Sequence, residues 1–233
     1  MSSARPIPAL SSLPNFDPRQ VPVIGVDSHL PAIVPAEFSA QALQQRFVQP
    51  RVWVPEFTEE PRFSDRAPTP ASVLLAIVAR DEPMVLLTQR TAHLSSHSGQ
   101  IAFPGGKHDA TDPDLTSTAL REAHEEIGLD AAYVDVLGTL PIYRTGSQYI
   151  VTPVVALLRE GFVFERNAHE VDDIFEVPLA FLMNPANHRH HVVDVQGVRR
   201  EWLSMPYQQG STERFIWGAT AGMLRNFYRF LSA

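Results

Sequence analysis

Residues Leu86 to Leu129 read LLTQRTAHLSSHSGQIAFPGGKHDATDPDLTSTALREAHEEIGL. The last third of this segment holds Glu122, Glu125 and Glu126, a density of carboxylates that ordinary helices dilute with lysine. In a helix, residues three and four apart are neighbours, so the three side chains fall within about 100° of arc. The sequence therefore predicts a helix with three carboxylates on one face.

The same helix has an apolar face and defined ends. Leu120, Ala123 and Ile127 share the opposite stripe and are expected to pack on a sheet. The DPD motif at residues 112–114 supplies an aspartate cap and an early proline for the first turn, and Gly128 suits a left-handed C-terminal cap. These signals predict one helix of about thirteen residues.

The acidic face of the predicted helix is chemically suited to binding a divalent cation. Clustered carboxylates resist ionising together unless a cation neutralises them, and oxygen ligands of this kind suit Mg²⁺ or Mn²⁺ together with phosphate oxygens. Gly105 and Gly106 end a short strand before the helix, where exposed backbone can approach a metal or a phosphate closely. Glutamate-rich faces are usually only solvated. Here the order of strand, Gly-Gly, loop and acidic helix favours a metal site at Glu122, Glu125 and Glu126.

This segment resembles the Nudix box. From Arg121 onward every defined position of the box is matched, whereas Gly106 lies one residue farther from Arg121 than usual and the loop contains no glutamate. Asp112 is the first candidate to replace that glutamate as the partner of Arg121, with Asp109 and Asp114 as alternatives. The resemblance implies catalytic roles for Arg121 and the three glutamates, Arg121 acting by holding the loop in shape.

The residues before the box resemble the extra motif of the coenzyme A pyrophosphatase branch of that family. The runs 86–91 (LLTQRT) and 103–106 (FPGG) match it together with Gly99, while Ser95 stands where a second arginine is usual. The resemblance implies hydrolysis of coenzyme A or its thioesters to adenosine 3′,5′-bisphosphate and 4′-phosphopantetheine or its acyl form. It also places Arg90 on the nucleotide side of that substrate.

The substrate is thus expected to be a small nucleotide of the coenzyme A type, bound by Arg90, Gly105, Gly106 and Arg144. Arg144 lies in the polar loop 141–148, which is placed to close over a ligand. One of the three glutamates or Glu170 would take the proton of the attacking water. A structural or solvated role is the favoured interpretation of Glu170 by itself.

Three functional hypotheses follow. The first is a coenzyme A diphosphatase. The second keeps the chemistry but takes another nucleoside diphosphate derivative, such as ADP-ribose or NADH, and Ser95 is its main support. The third is a non-catalytic Nudix-fold sensor or interaction domain, which the complete set of glutamates disfavours.

Composition narrows the class of protein. The chain has 233 residues, 44% of them hydrophobic, which suffices for one well-cored domain with an extension. The absence of cysteine excludes disulfides and thiolate metal sites and fits a reducing compartment. Without a long apolar run or a signal-peptide core, the expectation is a cytoplasmic protein with no membrane partner. The net charge of −7 argues against a nucleic-acid partner.

The chain divides into two regions. Residues 1–69 form a proline-rich extension with one probable helix near 36–47, which either wraps the domain or pairs with a second subunit in a homodimer. Residues 70–233 form the hydrolase domain. Its predicted strands cover residues 71–79, 84–88, 100–103, 133–140 and 149–158.

The C-terminal third is expected to finish the fold. Strands at 190–195 and 201–207 pair across a turn at 196–197, and residues 215–231 form a terminal helix. The histidines of this third, His188, His190 and His191, are interpreted as parts of a surface strand rather than a metal cluster, because alternate strand residues face opposite sides. The predicted fold class is α/β, a Nudix-type α/β/α sandwich around a central mixed sheet.

Overall fold

The computed structural model describes residues 7–10, 13, 16–92 and 99–233. The strands in this part of the chain are β1 (Val23–Val26), β2 (Thr69–Val78), β3 (Met84–Arg90), β4 (Ile101–Ala102), β5 (Gly105–Lys107), β6 (Val134–Thr139), β7 (Tyr143–Arg144), β8 (Tyr149–Leu158), β9 (Val171–Pro178), β10 (Arg189–Val195), β11 (Val198–Gln209) and β12 (Thr212–Trp217). The α-helices are α1 (Ala40–Val48), α2 (Leu115–Ile127), α3 (Leu179–Leu182) and α4 (Gly218–Ser232). Short 3₁₀ turns occupy Pro18–Gln20, Pro35–Phe38, Ala131–Tyr133 and Pro185–Asn187.

Eight strands form one mixed sheet. Its main path runs β4-β3-β2-β8-β6, with β5 paired to β2, β7 paired to β8 and β9 paired to β3. The β2–β8 pair is parallel over its whole length, and the remaining pairs of this sheet are antiparallel. The predicted strands between residues 71 and 158 are confirmed in position and in order.

The central strands of this sheet are buried on both faces. In β2, Leu74 and Ala76 pack with α2, whereas Leu75 and Ile77 pack on the other side with residues of α4. A strand covered on both faces reads as a continuous apolar run, which is how β2 and β8 appear in the sequence. The three layers confirm the predicted α/β/α sandwich around a mixed sheet.

A second, four-stranded antiparallel sheet has the order β1-β10-β11-β12. The predicted hairpin is confirmed, because β10 pairs with β11 from Arg189 with Ser204 to Val195 with Val198. Its turn residues Gln196 and Gly197 both have positive φ angles, 52° and 79°. Two such residues match the twist of the flanking strands, as type I′ hairpin turns require.

The terminal helix was predicted to begin too early. Residues 215–217 belong to β12, which pairs with β11 through Met205 and Ile216, and α4 begins at Gly218. The three apolar residues before Gly218 fit a strand as well as a helix, so periodicity alone does not separate the two. No helix in the described part of the chain has the length and apolar character that a bilayer crossing needs.

The N-terminal extension wraps the domain, as one of the two alternatives predicted. In α4, the buried Asn226 accepts hydrogen bonds through Oδ1 from the backbone N–H groups of Glu56 and Phe57, at 2.9 and 3.0 Å. Strand β1 was missed, because its four residues lie in a proline-rich segment that was expected to lack ladder pairing. Pairing with a second subunit stays a prediction.

Candidate active site

Helix α2 has the predicted bounds. Asp114 caps its start by accepting a hydrogen bond from Ser117 N at 2.7 Å, and Gly128 ends it in the left-handed conformation, with φ of 68°. Pro113 precedes the cap rather than lying in the first turn, which corrects one detail of the prediction. Ala123 and Ile127 are fully buried against the sheet, so the other flank of α2 carries the polar groups.

The three glutamates on that flank differ in exposure. The Glu125 side chain is 55% exposed, Glu122 is 16% exposed, and Glu126 is 4% exposed. Glu126 accepts a hydrogen bond from the backbone N–H of Gly105 at 3.2 Å, and its other oxygen lies 3.4 Å from Arg90 Nη1. The helix thus presents a graded row of carboxylates, with Glu126 at the buried end.

The Gly-Gly pair allows this close approach. A Cβ built on Gly106 would lie 2.4 Å from Glu122 Oε2, so a side chain at this position would displace that carboxylate from its place over the strand backbone. At Gly105 the φ angle is 155° and a Cβ would lie 2.4 Å from the carbonyl oxygen of Ser72. Both predicted glycines therefore lie at the carboxylates, as the sequence indicated.

Arg121 connects the helix to the preceding loop. Its Nε and Nη2 atoms donate to the two oxygens of Asp112 at 2.9 and 3.0 Å, and Nη2 also donates to the carbonyl of Lys107 at 3.0 Å. The predicted pairing with Asp112 is confirmed. The alternatives are excluded, because Asp109 accepts from Thr111 and Asp114 caps the helix.

Arg121 also touches two of the clustered glutamates. Its Nη1 lies 2.9 Å from Glu125 Oε2, and its Nη2 lies 3.0 Å from Glu122 Oε1. A guanidinium thus lies among the carboxylates predicted to bind metal. In the described residues, no three His, Asp or Glu side chains stand in a metal-binding arrangement as the side chains are placed.

The electrostatics of the row nevertheless favour a cation. The pKa of Glu126 is raised to about 7, mainly by burial and also by the negative charges of Glu122 and Glu170, against the opposing effects of Arg90 and the Gly105 N–H. Burial likewise raises the pKa of Glu122, and the charges of Glu125 and Glu170 add to that effect. An oxygen-only donor set with surplus negative charge is chemically suited to Mg²⁺ or Mn²⁺.

Glu170 lies near the carboxylate row. It directly precedes β9, where Val171 pairs with Arg90, and its carbonyl accepts from Thr91 N at 3.0 Å. Its negative charge contributes to the raised pKa of Glu122 and of Glu126, and its role in the reaction stays a prediction. Only the antiparallel pairing of β3 with β9, which is not local in sequence, brings it there.

Arg90 lies beside the carboxylate row. It ends β3 with Nη1 next to Glu126, and its buried Nε has no hydrogen-bond partner among the residues that the structure describes. Ser95, the other notable position of that motif, lies outside the described residues. Arg90 is therefore placed to meet a phosphate oxygen at the carboxylates.

Arg144 lies elsewhere on the sheet. Strands β2 and β8 separate its strand β7 from Gly106, which amounts to a distance on the order of 15 Å at normal strand spacing. Its backbone pairs with the extension at Thr58 and Glu60, and the Glu60 carboxylate accepts from Tyr143 OH and Gly146 N. The structure thus joins the 141–148 loop to the extension and does not bring Arg144 to the carboxylates.

His190 and His191 lie in strand β10, as predicted, but the extension covers this sheet, so the strand is not a surface strand. His188 is fully buried, and its Nε2 donates to the Leu182 carbonyl at 2.7 Å. His191 is also buried and stacks on Trp202, while His190 pairs with Asp27. The N-terminal extension covers this sheet, and the position of the extension could not be predicted from its sequence.

Comparison with known proteins decides the family. A model of the NUDIX domain matches residues 68–206. The chain belongs to the Nudix family. It is 42% identical over 163 residues to an uncharacterized Nudix hydrolase, NudL, of Yersinia pestis (strain Pestoides F), covering 70% of this chain and 79% of that protein.

Two solved Nudix structures are similar over about half of the chain. A C. elegans Ap4A hydrolase binary complex is 21% identical with a TM-score of 0.41, covering 50% of this chain and 85% of that one. The NUDIX domain of Shewanella oneidensis NrtR complexed with ADP ribose is 24% identical with a TM-score of 0.39, covering 49% and 75%.

Membership in the Nudix family gives the class of reaction. The chain is a Nudix hydrolase, an enzyme acting on pyrophosphate-containing substrates. Nudix hydrolases generally use divalent metal ions such as Mg²⁺. The row formed by Glu122, Glu125 and Glu126 has the donor chemistry for such ions, and the space over Gly106 that a Cβ would fill is taken by a carboxylate.

Proposed function

We propose that this Nudix hydrolase cleaves the pyrophosphate bond of coenzyme A or its thioesters with the help of Mg²⁺ or Mn²⁺. The observation that carries the proposal is the placement of Arg90, from the motif before the box, 3.4 Å from Glu126 of the box itself. The coenzyme A motif and the acidic helix thus contribute to one site. A motif shared with coenzyme A pyrophosphatases is then part of the reaction centre.

Glu122, Glu125 and Glu126 would hold the divalent ions, together with the carbonyl of Gly106. Bound there, such ions screen the phosphoryl oxygens and stabilise the charge that develops on them. To release Glu122 and Glu125 for this task, Arg121 gives up its contacts with them and keeps those with Asp112 and Lys107. Its role is to position the loop, not to touch the substrate.

The remaining groups act on the substrate and the proton. Arg90 donates to a non-bridging oxygen of the diphosphate, which satisfies its buried Nε and orients the bridge toward the carboxylates. Water attacks one phosphorus, the bridging P–O bond breaks, and a carboxylate takes the proton of the water. Glu126 is a candidate for that base, because burial raises its pKa to about 7, and Glu170 is a second candidate whose negative charge adds to that shift.

The products then follow from the bond that breaks. Hydrolysis of the bridge in coenzyme A yields adenosine 3′,5′-bisphosphate and 4′-phosphopantetheine, or the acylated phosphopantetheine from a thioester. Arg144 is expected to contact a more distant part of a substrate of this length. The reaction needs only water as a second reactant.

A substrate panel tests the assignment. Purified protein is incubated with coenzyme A, acetyl-coenzyme A, ADP-ribose or NADH, with and without Mg²⁺ or Mn²⁺, and the products are separated by chromatography. The expected result is metal-dependent release of adenosine 3′,5′-bisphosphate from the two coenzyme A substrates at a kcat/KM at least about tenfold above the others, a discrimination of about 1.4 kcal/mol. Preference for ADP-ribose or NADH would select the second hypothesis. No hydrolysis of any of the four would overturn the assignment to coenzyme A and point to another pyrophosphate-containing substrate.

A further inference from the structure

The loop between β8 and β9 carries Glu170 and is attached to the C-terminal end of α2. In this loop, Glu165 N donates to the Ile127 carbonyl and Asn167 N donates to the Glu126 carbonyl, both at 2.9 Å. Carbonyls in the last turn of a helix have no partner within the helix, and these two bonds supply one. The loop is thereby fixed to the part of α2 that holds the buried carboxylate of Glu126.

Two residues hold the backbone of His169 and Glu170. For His169, the N–H donates to Asn167 Oδ1 at 3.1 Å, and the carbonyl accepts from Thr91 Oγ1 at 3.2 Å. For Glu170, the N–H donates to the Asn167 carbonyl and the carbonyl accepts from Thr91 N, both at 3.0 Å. All four backbone polar groups of this dipeptide are thus bonded to Asn167 or to Thr91.

Hydrogen bonds rather than packing determine the shape of this loop. Residues 165–170 are all exposed or half-buried, whereas Thr91, directly after β3, is buried. A segment with few buried apolar contacts opens locally at little cost in free energy unless its hydrogen bonds hold it. Thr91 therefore attaches the loop to the end of a central strand, and Asn167 attaches it to α2.

We propose that Thr91 and Asn167 are positioning residues, which hold Glu170 at the carboxylate row so that its carboxylate takes the proton of the attacking water. Position matters for such a group, because a displacement of about 1 Å costs on the order of 10²-fold in rate. This inference rests on the proposed function, in which Glu170 is one of the candidates for the general base. It adds the two residues through which the fold sets the position of that base.

The test is a double-mutant cycle between Thr91 and Glu170, measured as kcat and KM with Mg²⁺ and the substrate that the panel identifies. Thr91→Val removes the hydroxyl and keeps the shape of the side chain. It should lower kcat by about 5-fold to 50-fold and change KM by less than about twofold, because the base is displaced while the substrate contacts remain. Glu170→Gln should lower kcat by about 10²-fold or more. In the Glu170→Gln background, Thr91→Val should change kcat by less than about twofold, because Thr91 acts only through Glu170.

Two matched variants control for the chemical change itself. Thr91→Ser keeps the hydroxyl donor and should stay within about threefold of the parent kcat. Thr220→Val makes the same change at a buried threonine of α4, on the opposite face of the sheet from α2, where Oγ1 donates to the Ile101 carbonyl at 3.0 Å. Its kcat should stay within about twofold of the parent value, because it is remote from Glu170.

Hydrogen–deuterium exchange reports the position of the loop without using activity. Exchange of the segment 166–170 should rise in Thr91→Val and in Asn167→Ala, and Glu170→Gln should leave it unchanged. Unchanged exchange in both of the first two variants overturns the proposal, and so does an equal loss of kcat from Thr91→Val in the parent and in the Glu170→Gln background. A parent-like kcat in Glu170→Gln would instead remove Glu170 from the proposed reaction, and this inference with it.

Discussion

Two regions of the molecule bury charge in opposite ways. The carboxylate row of α2 brings Glu122, Glu125 and Glu126 together with Asp112 and Glu170, five carboxylates, against the guanidinium groups of Arg90 and Arg121. A second group, which we call the Arg225 network, comprises Arg225, Asp27, Glu56, His188 and His190. The first region has five carboxylates for two arginines, whereas the second has two carboxylates for Arg225, and Arg229, whose Nε lies 3.5 Å from Glu56 Oε2, supplies the cation that balances them.

The Arg225 network satisfies its buried cation completely. Arg225 donates to both oxygens of Glu56 at 2.8 and 3.2 Å, lies 2.9 Å from Asp27 Oδ2 and reaches His188 Nδ1 at 3.0 Å. Asp27 and Glu56 precede the matched family range and Arg225 follows it. The network therefore joins the two segments outside the Nudix domain, and its balance indicates a structural role.

The comparison teaches how to separate function from structure among buried charges. A group of buried charges with equal numbers of cations and anions holds structural elements together. Removing one charge of such a group destabilises the fold, because its partner stays buried without a counter-charge. An unbalanced group is costly by itself and is explained by a missing counter-charge, here a cation or a protonated state. Substitutions in the carboxylate row should therefore lower activity, whereas substitutions in the Arg225 network should lower stability.

The largest effect is expected for Glu126→Gln. Loss of this carboxylate should lower Mg²⁺-dependent hydrolysis by about 10²-fold to 10⁴-fold, because it removes a metal ligand or the general base. The melting temperature should stay the same or rise, since the variant no longer buries a charged group whose pKa is raised to about 7. Steady-state kinetics and thermal unfolding measure the two effects.

Glu160→Gln is the control for this change, since Glu160 is exposed and lies beside Arg80 and Glu82 rather than in the carboxylate row. Glu160→Gln should leave both the rate of hydrolysis and the melting temperature at the level of the parent protein. Parent-like hydrolysis by Glu126→Gln would contradict the functional interpretation of the row.

The second effect concerns stability alone. Arg225→Met should lower the free energy of unfolding by about 3–5 kcal/mol, because Asp27 and Glu56 lose the cation that neutralises them while partly buried. The kcat of the folded fraction should not change. Urea denaturation at pH 7 gives the free energy, and Arg229→Met, on the exposed side of the same helix, should cost less than about 1 kcal/mol. Equal losses for the two variants would show that the network is not the source.

The smallest effect is a dependence of stability on pH. The pKa of His188 is lowered from an ordinary value of 6.5 to about 4, mainly by burial and also by the nearby charge of Arg225. In the unfolded chain His188 therefore binds a proton below pH 6.5, whereas in the folded protein it binds one only near pH 4. The contribution is complete above pH 6.5 and should be lost on acidification at up to about 1.4 kcal/mol per pH unit.

His188→Gln isolates this contribution, since glutamine has no proton to gain in that range. Unfolding free energies of the parent protein and the variant at pH 7, 6, 5 and 4.5 should converge as the pH falls. Parallel curves would mean that His188 titrates normally and that the network is more open than its contacts indicate.

Local patterns identified much of the site. The spacing of Glu122 and Glu126, the cap at Asp114 and the stop at Gly128 depend only on helix geometry, so they were predictable from neighbouring residues. The pairing of Arg121 with Asp112 spans nine positions and was also predicted. The predicted start of α4 was wrong, because the three residues before Gly218 fit the period of a strand as well as that of a helix.

The sequence by itself determined the acidic helix, the glycine pair, the five strands on the main path of the central sheet and the family. These features arise from interactions among residues close in the chain and from apolar patterns that only a sheet or a helix can bury. Only the tertiary structure decided that Arg90 meets Glu126 and that His188 is buried. Those contacts depend on which strands become neighbours and on where the extension lies. Neither can be predicted from the spacing of residues that are close in the chain.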